Sequence, residues 1–252
     1  MPWTFAHPAA ALLVHRFGRR SLPLSGLVVG SLSPDFGYYV GAFDAATQAH
    51  TLRGTLTICL PSACLLLVVL LRLRAFLVAP LPQPHRAAID GLPTPSLWPL
   101  AHFAGMVGAI WIGALTHVAW DAFTHASGPM VWIIAPLCEE LFEISGRRFA
   151  TYTLLQHAGT LFGIAAIGVA YCRWLVGTAG IASCLRWRAL REGMPLLAAA
   201  LLSAFLGFAS ARARLGPDSS VPVLVFRGVV DATIAFAAAY ALLAGLALRR
   251  MR

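Results

Sequence analysis

Charged residues are scarce in this sequence, and lysine does not occur at all. Only 12% of the 252 residues are charged and 59% are hydrophobic, and the mean hydropathy is +0.75. Soluble globular domains usually have about 25% charged residues. The shortage therefore excludes an ordinary soluble protein and indicates a protein that resides in a membrane.

Cysteine spacings typical of disulfide frameworks or thiolate zinc sites are also lacking, because the five cysteines form no CxxC motif. The net charge of +9 comes from arginines scattered through the loops. In a membrane protein, such arginines indicate topology and contact with membrane lipids rather than with nucleic acid. The N-terminal stretch lacks the basic segment of a signal peptide, so we expect it to remain in the mature protein.

Apolar stretches long enough to cross a hydrocarbon core, which takes about 20 helical residues, occur five times. They are residues 54–71, 97–120, 151–172, 193–211 and 228–248, of which the last carries one acid, Asp231, near its start. The simplest interpretation of Asp231 is an ion pair with Arg227, one turn earlier. Two apolar pieces nearer the N-terminus, PAAALLV and LPLSGLVVGSLSP, are too short to span. The sequence predicts an all-α fold, a polytopic membrane helix bundle with about five transmembrane helices plus N-terminal short or re-entrant helices.

Histidine and aspartate side chains are concentrated on one face of the predicted bundle. Five crossings place residues 1–53 and the loop 118–151 on the same side of the membrane. The candidate ligands on this side are His7, Asp35, His50, His117, Asp121, His125 and His157. A transport path needs polar groups near the bilayer midplane, where the first, third and fourth spans have almost none. The distribution favours a one-sided site.

The segment THVAWDAFTH carries the strongest signal for metal binding. His117 and Asp121 are four residues apart, about 6 Å along a helix, so both can bind one ion. His125 lies about 12 Å from His117, too far to share that ion, although Asp121 could bridge two ions. A buried histidine and carboxylate at this spacing are costly unless they are paired or bind a metal.

Small residues precede His117 on the same row of the helix, and they predict which way its side chain points. The row consists of Ala101, Gly105, Ala109 and Gly113. Such a ridge lets a neighbouring membrane helix approach closely. We therefore expect the ligand face to point into the bundle. Other candidates have plainer alternatives, since Asp35 could cap the turn in SPDFGYY.

Five motifs, in the order MPWTFAHPAAALLV, LVVGSLSPDFGYYV, AHTLRGTL, GALTHVAWDAFTH and LLQHAGTLFG, resemble the DUF4184 family of bacterial integral membrane proteins, a domain of unknown function. The likeness covers residues 1–176, expected to be a membrane domain that carries the site. Residues 177–252 are then a C-terminal pair of membrane helices. The family is distantly similar to DUF457 membrane proteins, which implies a metal-dependent hydrolase.

The order of the ligands is also similar to that of zinc-dependent phospholipase C and P1-type nucleases, all-helical enzymes that hold three zinc ions. That similarity implies one zinc site formed by Asp35, His50, His117 and Asp121. A second site would join His7, with Trp3 nearby, to Asp121, and a third would pair His125 with His157. Trp3 here follows Met1 and Pro2, and Leu161 replaces the expected glutamate. We therefore expect one or two ions.

Imidazole and carboxylate ligands without thiolate suit a catalytic divalent metal, zinc above manganese or iron. The sequence thus predicts a membrane-bound metal-dependent hydrolase of a lipid or lipid-linked phosphoester. A proton or metal-ion transporter and a non-catalytic structural protein remain alternatives. The arginines on the same face either hold the phosphate or anchor the protein at the interface. They are Arg53, Arg147 and Arg148.

Glu139, Glu140 and Glu143 lie on this face as well, either as a solvated surface or with one of them as general base. The opposite side has its arginines in shorter loops close to the span ends, where positive charge influences insertion most. The family resemblance implies a bacterial cytoplasmic membrane, and this bias predicts that the site lies on its outer face. The sequence leaves the oligomeric state open.

Overall fold

The computed structural model describes residues 3–18, 21–95, 100–144, 147–180, 187–216 and 219–251. Nearly all of the regular structure in these ranges is helical, as predicted. The helices are α1 (Pro8–Phe17), α2 (Leu24–Leu32), α3 (Phe36–Tyr39), α4 (Phe43–Ala49), α5 (Leu52–Arg72), α6 (Arg74–Val78), α7 (His85–Asp90), α8 (Leu100–Thr124), α9 (Pro129–Ile133), α10 (Ala135–Cys138), α11 (Thr151–Ala179), α12 (Trp187–Leu215) and α13 (Val221–Met251). Two 3-10 turns, Thr4–Ala6 and Ser33–Asp35, precede α1 and α3.

Five helical segments in the described part of the chain are long and apolar enough to cross a membrane. Their bounds are Leu52–Arg72, Leu100–Ile133, Thr151–Ala179, Arg191–Leu215 and Val221–Arg250. Each overlaps one of the five stretches predicted from hydropathy, and four of them contain the whole stretch. The predicted fold class, a polytopic helical membrane protein with short N-terminal helices, is confirmed.

A β-hairpin departs from the all-α prediction. Strands β1 (Glu140–Ile144) and β2 (Arg147–Ala150) pair antiparallel in the loop that precedes α11. Phe142 and Phe149 are cross-strand partners with ring centroids 5.2 Å apart. Cross-strand aromatic pairs and opposite charges stabilise such ladders, and the hydropathy signal used for spans does not report them.

The chain divides into two compact units. The first comprises Met1–Val68 and Pro95–Ala170, and the second comprises Val69–Thr94 and Tyr171–Arg252. The sequence suggested two continuous parts, residues 1–176 and 177–252. In the structure the second unit also includes residues 69–94. All the candidate metal ligands are in the first unit.

Within the second unit, α12 and α13 pack closely through glycine. A Cβ built on Gly207 would overlap the backbone of Ala232, so the two helices approach to backbone contact there. Arg214 of α12 forms an ion pair with Asp231 of α13. The acid in the last span is therefore paired across the helix interface.

Within the first unit, α2 packs against the half of α8 that leads to the candidate site. A Cβ on Gly113 would overlap the carbonyl oxygen of Leu27, and a Cβ on Gly30 would overlap that of Ile110. Ala109 is completely buried at the same interface. The predicted ridge of small residues therefore does face a neighbouring helix.

The other half of the ridge does not pack in this way. Ala101 is exposed, and the position of a Cβ on Gly105 has no neighbouring atom within 4 Å. The reason is length, because α2 has nine residues and extends for only about 13.5 Å. A helix of that length covers only part of α8, which has 25 residues. The prediction was wrong for the distant half of the ridge.

Candidate metal centre

His117 and Asp121 lie on the buried face of α8, next to the contact with α2. His117 is completely buried and Asp121 is 7% exposed. The helical spacing of four residues places His117 Nε2 3.3 Å from Asp121 Oδ2. The ligand face therefore points into the protein, as the position of Gly113 predicted.

Asp35 enters the site through the 3-10 turn that follows α2. The turn is buried, and Asp35 itself has no exposed surface. Its side chain makes no capping hydrogen bond to α3, the helix that it precedes. Burial without a capping role removes the simplest alternative to a ligand.

His50 directly follows α4, where the chain turns into α5. The turn is tight, because a Cβ on Gly54 would overlap the carbonyl oxygen of Gln48. The Thr51 hydroxyl accepts a hydrogen bond from the Gly54 amide at 2.9 Å, which caps the start of α5. The turn holds His50 half-buried, facing the two carboxylates.

The imidazoles of His50 and His117 both face the carboxylates of Asp35 and Asp121. His50 Nε2 is 3.4 Å from Asp35 Oδ1 and 3.4 Å from Asp121 Oδ2. His117 Nε2 is 3.7 Å from Asp35 Oδ1. The predicted contact among these four side chains, from three segments of the chain, is confirmed.

His7 and His125 face the other oxygen of Asp121. His7 Nε2 is 3.8 Å from Asp121 Oδ1, and His125 Nδ1 is 3.4 Å from the same atom. The ring of His7 also stacks on that of His117, with centroids 3.5 Å apart. Asp121 thus lies between two sets of imidazoles, one on each carboxylate oxygen.

The ligand atoms of this cluster form two groups, within each of which the atoms lie no more than 4.8 Å apart. One group is His7, His117 and Asp121, and the other is Asp35, His50 and His117. His157 belongs to neither group and is exposed on α11. His125 is also in neither group, so neither group corresponds to the predicted third site between His125 and His157.

Seven buried atoms in the cluster have no hydrogen-bond partner within the protein. They are His7 Nε2, Asp35 Oδ1, His50 Nε2, His117 Nε2, Asp121 Oδ1, Asp121 Oδ2 and His125 Nε2. Buried polar atoms nearly always have a partner, and each one without a partner costs about 1 to 3 kcal/mol. All of them except His125 Nε2 converge, with imidazole-to-carboxylate distances of 3.3–3.8 Å. This convergence fits a divalent cation, which accepts electron pairs from imidazole and carboxylate together.

The remaining ring nitrogens make hydrogen bonds that select the tautomer needed for metal binding. His50 Nδ1 is 2.7 Å from the Ala46 carbonyl oxygen, and His117 Nδ1 is 2.7 Å from that of Ser31. Because a carbonyl only accepts, each Nδ1 is the donor, which leaves Nε2 as the ring atom available to a metal. Histidine ligands of metals are usually oriented in this way.

A chain of two hydroxyl groups orients Asp35. Tyr39 donates to Thr4 Oγ1 at 2.7 Å, and Thr4 donates to Asp35 Oδ2 at 2.5 Å. Asp35 Oδ1 is thereby left facing the imidazoles. Sequence reasoning missed both residues, although Thr4 lies three residues before His7 and Tyr39 four after Asp35.

The pKa values of the ligands that lie outside the spans are shifted in different directions. Burial, reinforced by His117, lowers the pKa of His7 to about 3. Burial also opposes the charged form of His50, but the nearby carboxylates of Asp121 and Asp35 raise its pKa to about 10. Burial alone would raise the pKa of Asp35, yet His117, His50 and Thr4 hold it below its usual value. The surroundings therefore favour neutral His7 and protonated His50, and a metal that binds at His50 would displace that proton.

The predicted phosphate-binding arginines have different surroundings. Arg53 is exposed in the first turn of α5, three residues after His50. Arg148 is 3.0 Å from Glu140 across the hairpin, and both side chains are more than half exposed. The side chain of Arg147 lies outside the described part of the structure. The three glutamates of the segment are exposed, as a solvated surface requires: Glu139, Glu140 and Glu143.

Five apolar spans and a buried cluster of histidines and aspartates define a helical membrane protein with a candidate metal centre. The chain belongs to the DUF4184 family, whose model, described as a domain of unknown function, matches residues 1–245. The match extends beyond residue 176, where the motif resemblance ends, and into α13. No curated protein and no solved structure matches the chain.

Proposed function

We propose that this protein is a membrane-bound hydrolase that uses one or two divalent metal ions to cleave the phosphoester of a lipid or lipid-linked substrate. The observation that carries the proposal is the convergence of buried, unpartnered ligand atoms of five residues from four segments of the chain: His7, Asp35, His50, His117 and Asp121. Stability alone does not account for such a cluster, because each unpartnered atom destabilises the fold.

Zinc is the ion that the donors favour. Neutral imidazoles and carboxylates with no thiolate are typical of catalytic rather than structural zinc sites. The number of ions depends on Asp121, since its two oxygens face different imidazoles. We expect one ion at Asp35, His50 and His117, and a second at His7 when Asp121 bridges them.

The bound metal would lower the pKa of a water molecule to about 7 and polarise a phosphoryl oxygen. The protein's own part is to hold the ligands rigidly and to leave one side accessible. His50 and His125 have side chains that are 19% and 22% exposed, whereas those of His7 and His117 are almost completely buried. Substrate therefore approaches past His50 and His125, and exposed Arg53, three residues after His50, is the candidate contact for its phosphate.

The position of the cluster along the helices supports a lipid substrate. His50 lies two residues before α5, Asp121 lies in the last turn of α8, and His125 directly follows α8. The cluster is thus near the start of helix α5 and the end of helix α8, the part of each helix closest to the phospholipid phosphates. A path for protons or ions would instead continue towards the bilayer midplane. This difference favours hydrolysis over transport.

Elemental analysis and phosphate release test the proposal together. Purified protein should retain zinc, lose it after His117→Ala, and keep it after His102→Ala, which alters an exposed histidine of the same helix. Release of inorganic phosphate from phosphatidic acid in mixed micelles should stop with a chelator and return with zinc. Protein that binds no divalent metal, or that hydrolyses equally well after His117→Ala, would contradict the proposal.

A further inference from the structure

An apolar groove of about 440 Å³ lies between the α3–α4 segment and α5. Its α5 wall consists of Ile58, Ser62 and Leu66, which are four residues apart and so lie on one face of the helix. The opposite wall includes Tyr39 and Ala45. The volume is within the range of about 300 to 1,000 Å³ that is usual for ligand sites.

The groove and the candidate metal centre share their walls. Pro34 and Phe36 line the groove, and Asp35 between them faces the cluster. Ala49 lines the groove, and the next residue is His50. A ligand in the groove would therefore contact the segments that carry two of the metal ligands.

Tyr39 connects the two sites through hydrogen bonds as well. Its side chain lines the groove, and its hydroxyl donates to Thr4, which in turn donates to Asp35. The groove is thus not a surface remote from the chemistry. A molecule that fills the groove contacts the Tyr39 ring, whose hydroxyl belongs to the hydrogen bonds that orient Asp35.

We propose that the groove binds the hydrocarbon chain of the phospholipid whose phosphoester is cleaved at the metal centre. The inference rests on the proposed function and specifies its substrate as a lipid with a long chain. The wall from Ile58 to Leu66 extends for about 12 Å along a membrane-spanning helix. The molecules that meet such a wall are lipids, because water does not enter the hydrocarbon region.

The groove would act mainly by orienting the substrate. A chain that moves from the bilayer into the groove exchanges one apolar environment for another, so the transfer itself adds little affinity. Fixing the chain beside Asp35 and His50, however, limits where the attached headgroup can lie. Orientation of this kind raises the rate for chain-bearing substrates without changing metal binding.

Photocrosslinking tests the groove directly. Protein in nanodiscs would be irradiated with phosphatidic acid that carries a diazirine in its acyl chain, and the labelled peptides would be mapped by mass spectrometry. We expect labelling at α3, α4 and residues 58–66. Ala45→Phe and Ser62→Phe should each reduce it at least fivefold, because both place a ring in the groove. Ala165→Phe on the exposed surface of α11 is the matched control.

Labelling that is spread evenly over the spans, or that is unchanged in both groove variants, would overturn the inference. The crosslinking requires no turnover, so its result tests the groove even if the protein hydrolyses nothing. If hydrolysis occurs, Ala45→Phe should slow phosphate release from dioleoyl phosphatidic acid and leave zinc content and the hydrolysis of p-nitrophenyl phosphate unchanged. Equal slowing of both substrates would count against the groove and not against the metal centre.

Discussion

Asp121 is the residue on which the two halves of the cluster depend. Its Oδ2 faces His50 and His117, and its Oδ1 faces His7 and His125. We expect Asp121→Asn to lower zinc content by at least half, because an amide offers one oxygen and turns a donor towards the other imidazoles. Inductively coupled plasma mass spectrometry measures this. Asp44→Asn, at an exposed acid of α4, is the control, and equal zinc in the two variants would show that Asp121 is not a ligand.

Thr4 orients the ligand Asp35 and is not itself a candidate ligand. Thr4→Val keeps the shape of the side chain but removes the donor to Asp35 Oδ2. Loss of such an outer partner typically weakens metal affinity by about 10- to 100-fold. Competition against a fluorescent zinc chelator should show this decrease, and Thr47→Val on exposed α4 should not. Unchanged affinity in Thr4→Val would mean that Asp35 is oriented by other contacts.

At the scale of elements, the contact between α2 and α8 aligns Asp35 with His117. Gly113→Leu would force a side chain against the Leu27 backbone, and overpacking of this kind costs about 1 to 3 kcal/mol or more. Both the unfolding temperature and the zinc content should fall. Gly105→Leu is the matched control on the same helix, since the space beside Gly105 is open. If the two variants behave alike, this interface does not position the site.

The whole molecule has a sidedness that the arginines predict. We expect the cluster on the outer face of a bacterial cytoplasmic membrane and the C-terminus inside, because the arginines of the C-terminal side lie in short loops near span ends. Alkaline phosphatase fused after Arg148 should then be active, and green fluorescent protein fused to the C-terminus should fluoresce. The opposite pair of results would place the cluster in the cytoplasm.

Several features of the protein could be read from local patterns alone. Hydropathy identified the five spans, because crossing a hydrocarbon core requires a continuous apolar stretch in each span separately. The helical period placed His117 and Asp121 together and pointed Gly113 towards a neighbour. The shared membrane face brought Asp35 and His50 into the same prediction. These properties depend on residues that are near each other in the chain or are constrained by the bilayer.

Only the tertiary structure showed which candidates meet, because contacts between distant segments depend on how the helices pack. It placed His7 and His125 on the second oxygen of Asp121 and left His157 out of both groups. It also revealed the support from Thr4, which lies 31 residues from Asp35, and the limited reach of α2 along α8. A single hydroxyl group or a short helix produces no periodic pattern in the sequence. The residues that it contacts are therefore determined by tertiary packing.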